Sequence, residues 1–339
     1  MKEAAKARFY RPGRDEAVEC FLCNHRCHVA EGKRGACRGR ENRRGKLYSL
    51  VYGRIIASHI DPIEKKPLYH FLPGAQAYSI ATPGCNFRCS FCQNWRISQT
   101  DIAQRFDSIP YVSPEETVSA AARSGAGSIA YTYTEPTIFM EYALDCAELA
   151  RQRGIKNVFV TNGYQTPEAV EAMRGLIDAA NVDLKAFTDE FYRRISKASL
   201  QPVLDTIANM HAAGIHLEIT TLIVPTQNDS EEQLRGIAEF IASLSADIPW
   251  HISRFHPDFR EHDLAPTPLA TMQRAVQIGR EAGLNFVYMG NVLSPEGQNT
   301  TCPGCGRTLI SRSGFARPNV EIEEPLCPAC GRKLPIVLK

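Results

Sequence analysis

Residues 82–92 have the sequence Thr82-Pro83-Gly84-Cys85-Asn86-Phe87-Arg88-Cys89-Ser90-Phe91-Cys92, in which three and then two residues separate the cysteines. Three thiolates on one short loop form a ligand set for iron or zinc, because the deprotonated thiolate is the form that binds these metals. The loop contains no fourth cysteine. If the metal group is a [4Fe-4S] cluster, three thiolates leave one iron atom open to a small molecule. The alternative is a zinc ion completed by a distant residue, because structural zinc also prefers thiolates.

The segment before this loop predicts a strand. Residues Ala77 to Thr82 alternate in character and lead into Pro83-Gly84, which is a strong turn signal. We therefore expect the cysteines at the carboxyl end of a strand, where parallel β/α barrels build their sites. The motif resembles the signature of the radical S-adenosylmethionine (SAM) superfamily, Cys-x3-Cys-x2-Cys after the first barrel strand. The match includes an aromatic residue, Phe91, before the last cysteine.

The resemblance implies a cofactor and a reaction. Cys85, Cys89 and Cys92 would hold a [4Fe-4S] cluster whose open iron chelates the amino and carboxylate groups of SAM. An electron from the cluster would cleave the sulfonium and give a 5'-deoxyadenosyl radical, which would abstract hydrogen from a substrate that the sequence does not identify. A reduced protein such as flavodoxin or ferredoxin would supply the electron.

Chain length predicts one large core with small appendages. A chain of 339 residues fits an α/β fold with a parallel β/α barrel of about 250 residues, incomplete or full, better than two equal domains. We expect a Cys-rich N-terminal extension over residues 1–75, the barrel over residues 76–292, and a zinc-ribbon-like unit over residues 293–339.

Charge and cysteine content restrict the function classes. The formal net charge is +2, which predicts neither a nucleic-acid partner nor an acidic membrane surface. No run approaches the roughly 20 apolar residues that span a bilayer, and the N-terminus lacks the apolar core of a signal peptide, so we expect a cytoplasmic protein. Twelve cysteines in a cytosolic chain indicate metal sites rather than disulfides, and all except Cys146 fall into three groups.

Strand-like and helix-like runs alternate from Tyr78 to about Met289. The predicted strands are Tyr78–Thr82, Ser128–Tyr133, Ile155–Thr161, Asn181–Phe187, Ile215–Ile223, Trp250–Phe255 and Leu284–Met289. Helix starts are indicated at Ser113-Pro114-Glu115-Glu116, Ser230-Glu231-Glu232-Gln233 and Thr267-Pro268, and helix ends at Gly154, Gly214 and Gly283. This alternation predicts a parallel sheet with right-handed crossovers.

The first group of cysteines consists of Cys20, Cys23, Cys27 and Cys37, on a segment predicted to contain few strands. Such a segment has too few apolar residues to fold alone, so a metal is expected to supply much of its folding free energy. Zinc is the simpler occupant, and an auxiliary iron–sulfur cluster is the alternative, because four cysteines suit both. His25 and His28 are competing ligands only if the thiolates do not complete the set.

Strand two is predicted to end at Thr134-Glu135-Pro136, which puts a carboxylate beside the cluster loop, where it could accept a hydrogen bond from an ammonium group. The sequence is similar to the strand-two motif of glycyl-radical-enzyme activating enzymes, and that resemblance implies that Thr134 and Glu135 bind the SAM amino group. The alternative role for Glu135 is a charge at a helix N-terminus, stabilised by the helix dipole.

Other strand ends add further candidates for SAM contacts. Thr161 and Asn162 end strand three. Asp183 and Lys185 share one face of strand four by alternation, and a charged pair inside a barrel must be satisfied by each other or by a ligand. The resemblance to activating enzymes places this pair beside SAM. His256 at the carboxyl end of strand six is either a cofactor or substrate contact or a loop histidine.

Two Cys-x2-Cys knuckles lie near the C-terminus, each followed by glycine. They contain Cys302 and Cys305, then Cys327 and Cys330. This spacing is that of a zinc ribbon.

Taken together, the three cysteine groups and the run Tyr288-Met289-Gly290-Asn291-Val292 resemble the radical SAM member of the AmmeMemoRadiSam system. That resemblance spans nearly the whole chain and implies partner proteins of the AMMECR and Memo types. Two alternatives stay open. The chain could be a glycyl-radical-enzyme activase that acts on a protein glycine, or a non-enzymatic, cysteine-rich zinc-binding scaffold that docks partners.

Overall fold

The computed structural model describes residues 4–102, 108–292 and 297–339. Its N-terminal part forms two small antiparallel sheets, of strand order β1-β6-β5 and β2-β3-β4. The strands are β1 (Ala5–Lys6), β2 (Tyr10–Pro12), β3 (Val18–Cys20), β4 (His28–Val29), β5 (Arg40–Arg43) and β6 (Lys46–Ser49). The segment from Cys20 to Cys37 contains few strand residues, as expected: the last residue of β3 and the two residues of β4. Strands this short are fixed by their pairing partners, and hydrophobic alternation cannot reveal them.

The main sheet has eight strands, and all seven strands predicted from the sequence are present as β8 to β14. The strands are β7 (Ala57–Pro62), β8 (Gln76–Ala81), β9 (Ser128–Tyr131), β10 (Lys156–Thr161), β11 (Ala179–Asp183), β12 (His216–Ile223), β13 (Trp250–Arg254) and β14 (Val287–Gly290). They lie side by side in chain order, and β8 to β14 are parallel. Strand β7 pairs antiparallel with β8. In the described part of the chain β7 and β14 are both edges, so the sheet is an incomplete barrel.

Helices cover the sheet between successive parallel strands. They are α1 (Trp95–Ser98), α2 (Pro114–Ser124), α3 (Met140–Gln152), α4 (Pro167–Met173), α5 (Asp189–Phe191), α6 (Gln201–Ala212), α7 (Glu231–Leu244) and α8 (Leu269–Glu281). Short 3-10 turns span Ile63–Lys65 and Pro136–Phe139, and a π-helical turn spans Tyr192–Ser196. No helix among the described residues is long and apolar enough to cross a membrane.

Local signals explain where these helices begin and end. Ser113 and Glu116 form the predicted reciprocal capping box at the start of α2. Ser230 caps α7 through the backbone N–H of Gln233, but the Gln233 side chain accepts instead from the backbone of Phe187, so this box is only half formed. Gly154, Gly214 and Gly283 all have positive φ values just past helix ends, as predicted.

Strand four is shorter than predicted. It ends at Asp183, and residues 184–186 are irregular, so Lys185 lies beyond the strand rather than on its face. Beyond Asp183 a side chain bonds the backbone: the amide of Asn228 donates to the carbonyl of Lys185, at 2.5 Å, and to that of Leu222, at 2.8 Å.

The C-terminal unit is a small sheet that packs at the amino-terminal edge of the main sheet. It contains β15 (Thr300–Thr301), β16 (Thr308–Ser311) and β17 (Asn319–Val320). Buried Arg312 donates to the carbonyl of Tyr69 at 2.7 Å and to the hydroxyl of Thr300 at 2.8 Å. The cysteine loop lies at the opposite edge of the sheet, where the parallel strands have their carboxyl ends.

Beneath this attachment lies Glu218, a fully buried carboxylate on β12. It accepts backbone N–H groups from Tyr69 at 2.9 Å and His70 at 2.7 Å, and its Oε2 lies 2.6 Å from Nε2 of His251. Because two elements converge on one carboxylate, the group is satisfied inside the protein and has a structural role.

Candidate functional site

The loop with Cys85, Cys89 and Cys92 follows β8 at the carboxyl edge of the sheet. Gly84 allows its tight turn, with a φ of 101° that other residues rarely adopt. A side-chain carbon built on Gly84 would also lie 2.8 Å from Ile102 and 3.1 Å from Ile138. The loop backbone is therefore pressed against the protein, which fixes where its thiols lie.

Each of the three thiols has a polar hydrogen nearby. The backbone N–H of Phe87 donates to Cys85 Sγ at 3.3 Å. Cys89 Sγ lies 3.4 Å from the hydroxyl of Ser196, and Cys92 Sγ lies 3.2 Å from that of Ser98. The Phe87 N–H stabilises the thiolate form that metal binding requires, whereas the Cys89 thiol donates to the Ser196 oxygen and either atom can donate between Cys92 and Ser98.

The π-helical turn Tyr192–Ser196 presents Ser196 to the loop. Its carbonyl accepts the backbone N–H of Arg88 at 3.0 Å, while its hydroxyl lies against Cys89. π-helical turns are rare and are frequently found at functional sites.

Burial raises the pKa of Cys85 well above that of a free thiol, and the nearby Glu135 carboxylate adds to this effect. Burial also raises the pKa of Cys89, although the Lys185 ammonium opposes it. The thiolates therefore need compensating positive charge, which iron would supply.

Glu135 is buried at 3% exposure in the loop that follows β9, four residues after the strand ends. Its Oε1 accepts from the backbone N–H of Thr137 at 3.0 Å and from the hydroxyls of Thr137 at 2.5 Å and Thr161 at 2.6 Å. Its Oε2 accepts the backbone N–H of Asn162 at 2.8 Å. The hydrogen bond from the backbone N–H of Thr137 caps the turn Pro136–Phe139. The helix-capping alternative therefore accounts for this one of the four hydrogen bonds. Burial raises the pKa of Glu135 although these hydrogen bonds oppose it.

Three neighbouring candidates hold the loop and the carboxylate in place. The Thr134 hydroxyl donates to the carbonyl of Thr82, at 2.7 Å. The Thr161 hydroxyl donates to Glu135. The side-chain amide of Asn162 donates to the side-chain oxygen of Asn86 at 2.8 Å and lies 3.9 Å from Cys85 Sγ. The ends of β8, β9 and β10 therefore form one connected polar site.

Asp183 and Lys185 satisfy each other, with Lys185 Nζ 2.7 Å from the Asp183 carboxylate. The ammonium also lies 6.0 Å from the ring centre of Phe91 in the loop. Burial opposes the charge of Lys185, but Asp183 and Cys89 together raise its pKa. The Lys185 ammonium, paired with Asp183, therefore lies beside the cysteine loop.

His256 is exposed at the rim of this site. Its Nε2 lies 2.8 Å from the side-chain nitrogen of Gln93, the residue after the last loop cysteine. The same segment approaches the loop at Ser90, whose carbonyl accepts the backbone N–H of Arg260 at 3.0 Å.

The first cysteine group packs directly against the cysteine loop. His25 contacts the carbonyl of Asn86 through Nε2 at 2.9 Å, and Arg88 donates to the carbonyl of Ala36 at 2.7 Å. His25 therefore contacts the cysteine loop through Nε2.

The C-terminal cysteines form the tightest ligand set. Among residues 4–102, 108–292 and 297–339, only Cys302, Cys305, Cys327 and Cys330 form a group of three or more metal-ligating side chains whose ligand atoms all lie within 4.8 Å of one another. Sulfur atoms are 3.6 Å apart between Cys302 and Cys330 and between Cys305 and Cys327. This spacing suits one tetrahedral ion.

Sequence reasoning missed several residues of the site. Ser196 contacts Cys89 only because distant parts of the chain meet, and a lone serine carries no sequence signal for this. Ser98 and Thr137 lie close in sequence to Cys92 and Glu135, and the Glu-Pro-Thr run could have marked Thr137 as a partner in a capped turn. Asn86 lies inside the cysteine motif, and its position between two ligands could have marked it as a candidate.

Comparisons with known proteins agree with this geometry. The sequence profile of the radical SAM superfamily matches residues 79–241. An uncharacterized protein of Methanocaldococcus jannaschii is 45% identical over 338 residues, covering 98% of this chain and 99% of that protein. The pyruvate formate-lyase-activating enzyme of Clostridium pasteurianum is 25% identical over 171 residues, covering 48% of this chain and 67% of that protein.

A solved structure supports the fold. The crystal structure of a radical SAM methyltransferase from Sphaerobacter thermophilus aligns with a TM-score of 0.51 at 14% identity, covering 64% of this chain and 66% of that chain. The sheet, the cysteine loop and the sequence matches lead to one conclusion: the chain is an enzyme of the radical SAM superfamily, related to the glycyl-radical-enzyme activating enzymes.

Proposed function

We propose that this enzyme binds a [4Fe-4S] cluster through Cys85, Cys89 and Cys92, binds SAM at the carboxyl edge of the sheet, and abstracts hydrogen from an unidentified substrate. The position of the partly buried Cys85 thiol beside the buried Glu135 carboxyl carries this proposal. Two acidic groups withdrawn from water in one site favour bound positive charge, which cluster iron and an ammonium group would provide.

The donor set fits such a cluster. Three thiols come from one loop, each beside an N–H or O–H group, and the loop itself offers no fourth thiol. When bound, the cluster and SAM supply the radical that removes hydrogen from the substrate. The protein holds the loop rigid through Thr134 and Ser196 and orients the ligands.

We assign the SAM ammonium to Glu135. Oε1 already accepts three donors, whereas Oε2 accepts the backbone of Asn162 and keeps room for another donor. In this arrangement Thr161 and Asn162 position the carboxylate. Asp183 and Lys185 would flank the cofactor on the far side of the loop, and His256 at the rim would contact cofactor or substrate.

The four C-terminal cysteines are proposed to bind zinc in a ribbon-like unit, because their sulfur spacing suits a single tetrahedral ion. The division into units 1–75, 76–292 and 293–339 is proposed with it, although residues 293–296 at the last boundary lie outside the described residues. All twelve cysteines are free, which is consistent with a cytoplasmic location.

The chain is further proposed to be the radical SAM member of an AmmeMemoRadiSam system. Supporting this are its cysteine groups before and after the barrel and the strand-seven run from Tyr288 to Val292. AMMECR-type and Memo-type proteins would then be partners, and a reduced flavodoxin or ferredoxin would be the electron donor.

The proposal is tested with anaerobically reconstituted protein, dithionite as reductant and SAM. We expect 5'-deoxyadenosine to form, and extract from cells grown with deuterated nutrients should transfer deuterium into it. Separation of that extract then identifies the substrate. Reconstituted protein that binds iron and sulfide but neither binds nor cleaves SAM would contradict the proposal.

A second candidate is activation of a glycyl-radical enzyme, which the similarity to activating enzymes favours. It predicts a glycyl radical on a partner protein, detected by electron paramagnetic resonance after incubation with SAM and reductant. Deuterium transfer from a small-molecule fraction free of protein would contradict it. The non-enzymatic scaffold is not supported, because the superfamily match spans the loop and most of the sheet.

A further inference from the structure

The four cysteines of the N-terminal part converge on one cavity. Its lining includes Cys20, Cys23, Cys27, Cys37, Arg40, Thr137 and apolar groups from Leu22, Gly35 and Ile138. The backbone N–H of Ala36 donates to Cys27 Sγ at 3.4 Å. Four cysteines around one cavity form a ligand set for a thiolate-bound metal group.

Arg40 supplies the second, independent observation. Its side chain is 1% exposed and pairs with Glu141 through Nη2, but Nε and Nη1 are buried with no hydrogen-bond partner among the described residues. Unsatisfied buried donors are costly, and those of a charged group more so. The guanidinium lines the cavity, so an anionic acceptor bound there would satisfy it.

The sulfur spacing identifies the kind of acceptor. Four ligands of a single zinc ion must crowd together, as the C-terminal sulfurs do. In the described chain no three of the N-terminal cysteines meet that 4.8 Å spacing, although all four border the same cavity. Thiolates of an iron–sulfur cluster bind different iron atoms and lie farther apart. We propose that Cys20, Cys23, Cys27 and Cys37 hold a second iron–sulfur cluster, with the free N–H groups of Arg40 directed at its sulfur atoms.

This second site shares a wall with the cysteine loop. A side-chain carbon on Gly84 would lie 3.6 Å from the carbonyl of Cys37, and Arg88 and His25 bridge the two segments. Thr137 lines the cavity and also donates to Glu135. The proposal does not depend on SAM cleavage, so metal analysis tests it separately from the proposed function.

The test removes one set of thiols at a time. The variant Cys85→Ala/Cys89→Ala/Cys92→Ala is reconstituted anaerobically with iron and sulfide, and metals and acid-labile sulfide are measured. We expect it to retain iron and sulfide in roughly equal amounts, since such clusters contain both. The variant Cys20→Ser/Cys23→Ser/Cys27→Ser/Cys37→Ser should lack the iron and sulfide that the first variant retains. Zinc without sulfide at the N-terminal site would overturn the proposal.

If circular dichroism shows that the first variant does not fold, the number of clusters is determined from paramagnetic resonance of the reduced wild-type protein. Two paramagnetic resonance signals are expected, of which SAM alters one. A single iron–sulfur signal, together with zinc beyond that bound by the C-terminal unit, would overturn the proposal.

Arg40→Lys tests the directed N–H groups, because lysine keeps the charge but not the fork of donors. We expect a lower reduction potential for the signal that SAM does not alter. Arg8→Lys is the matched control, since Arg8 also contacts Glu141 but does not line the cavity. Equal shifts in reduction potential in both variants would show that Arg40 does not donate to the cluster.

Discussion

The hydroxyl of Thr161, at the end of β10, donates to Oε1 of Glu135, just beyond the end of β9, over 2.6 Å. Neighbouring parallel strands therefore deliver a donor and a buried acceptor to the same edge of the sheet. Oε1 is held by Thr161 and Thr137, whereas Oε2 accepts the backbone N–H of Asn162 and is the oxygen to which we assign the SAM ammonium in the proposed function.

Changing Glu135 to glutamine tests this arrangement. Charge-assisted hydrogen bonds contribute about 1.5–3 kcal/mol, so SAM affinity should fall by on the order of tenfold to a hundredfold while the cluster stays intact. Titration of SAM into reconstituted protein, followed by paramagnetic resonance, measures both. Glu190→Gln, at an exposed glutamate, is the control. Unchanged SAM affinity would leave Glu135 a structural role through its contacts with Thr137, Thr161 and Asn162.

Single replacement of Cys85, Cys89 or Cys92 with alanine should abolish SAM cleavage and the absorbance of the cluster bound to this loop. The sheet should stay folded, because its core is far larger than the loop. Circular dichroism and 5'-deoxyadenosine formation provide the measurements. Cys146→Ala, at a buried cysteine outside the three groups, should retain full cleavage. Unfolding of all three loop variants would argue for a structural metal.

Replacement of Cys302 or Cys327 with serine should destabilise the C-terminal unit and leave the loop cluster intact. Structural metal binding is coupled to folding, so we expect loss of zinc and earlier proteolysis within residues 297–339, with an unchanged spectrum of the loop cluster. Cys85→Ala is the reciprocal control and should keep its zinc. If the loop cluster disappears in the serine variants, the ligands have been assigned to the wrong site.

His70 predicts a pH dependence of stability. Burial lowers its pKa to about 3, although Glu218 opposes this, whereas an unfolded histidine titrates near about 6.5. The unfolded chain therefore binds more protons between these values, and the contribution is complete above about pH 6.5 and lost as the pH falls. By about pH 5 the loss is roughly 2 kcal/mol.

The measurement compares wild type with His70→Gln in chemical unfolding at pH 8 and pH 5. Their difference in unfolding free energy should shrink by that amount at the lower pH. His211→Gln, at an exposed histidine, should show no such change. A difference independent of pH would mean that the imidazole of His70 becomes protonated without cost in the folded state.

Local patterns predicted the sheet well. Each parallel strand is a short apolar run bounded by turn residues, and Ser113 and Gly154 mark helix ends through contacts within a few residues. The short N-terminal strands could not be found this way, because pairing such as that of Ala5 with Ser49 joins distant segments.

The site was predicted only where chemistry and spacing coincide in the sequence. The loop cysteines and Glu135 lie together as expected. Two partners that hold the Glu135 carboxylate, the hydroxyl of Thr161 and the backbone N–H of Asn162, depend on how β9 and β10 align, whereas the contacts with Thr137 are local. The half-formed box at Ser230 shows the same limit, because Phe187, from a distant segment, takes the expected glutamine oxygen.

The π-helical turn Tyr192–Ser196 places a constraint on chain spacing. A π-helical turn holds one more residue than the α-helical turn it replaces, and each residue of an α-helix advances the chain by about 100° around the axis. Deleting one residue from this turn would change where Ser196 lies relative to the residues before the turn. The contact between Ser196 and Cys89 therefore depends on the number of residues in the turn as well as on the serine hydroxyl.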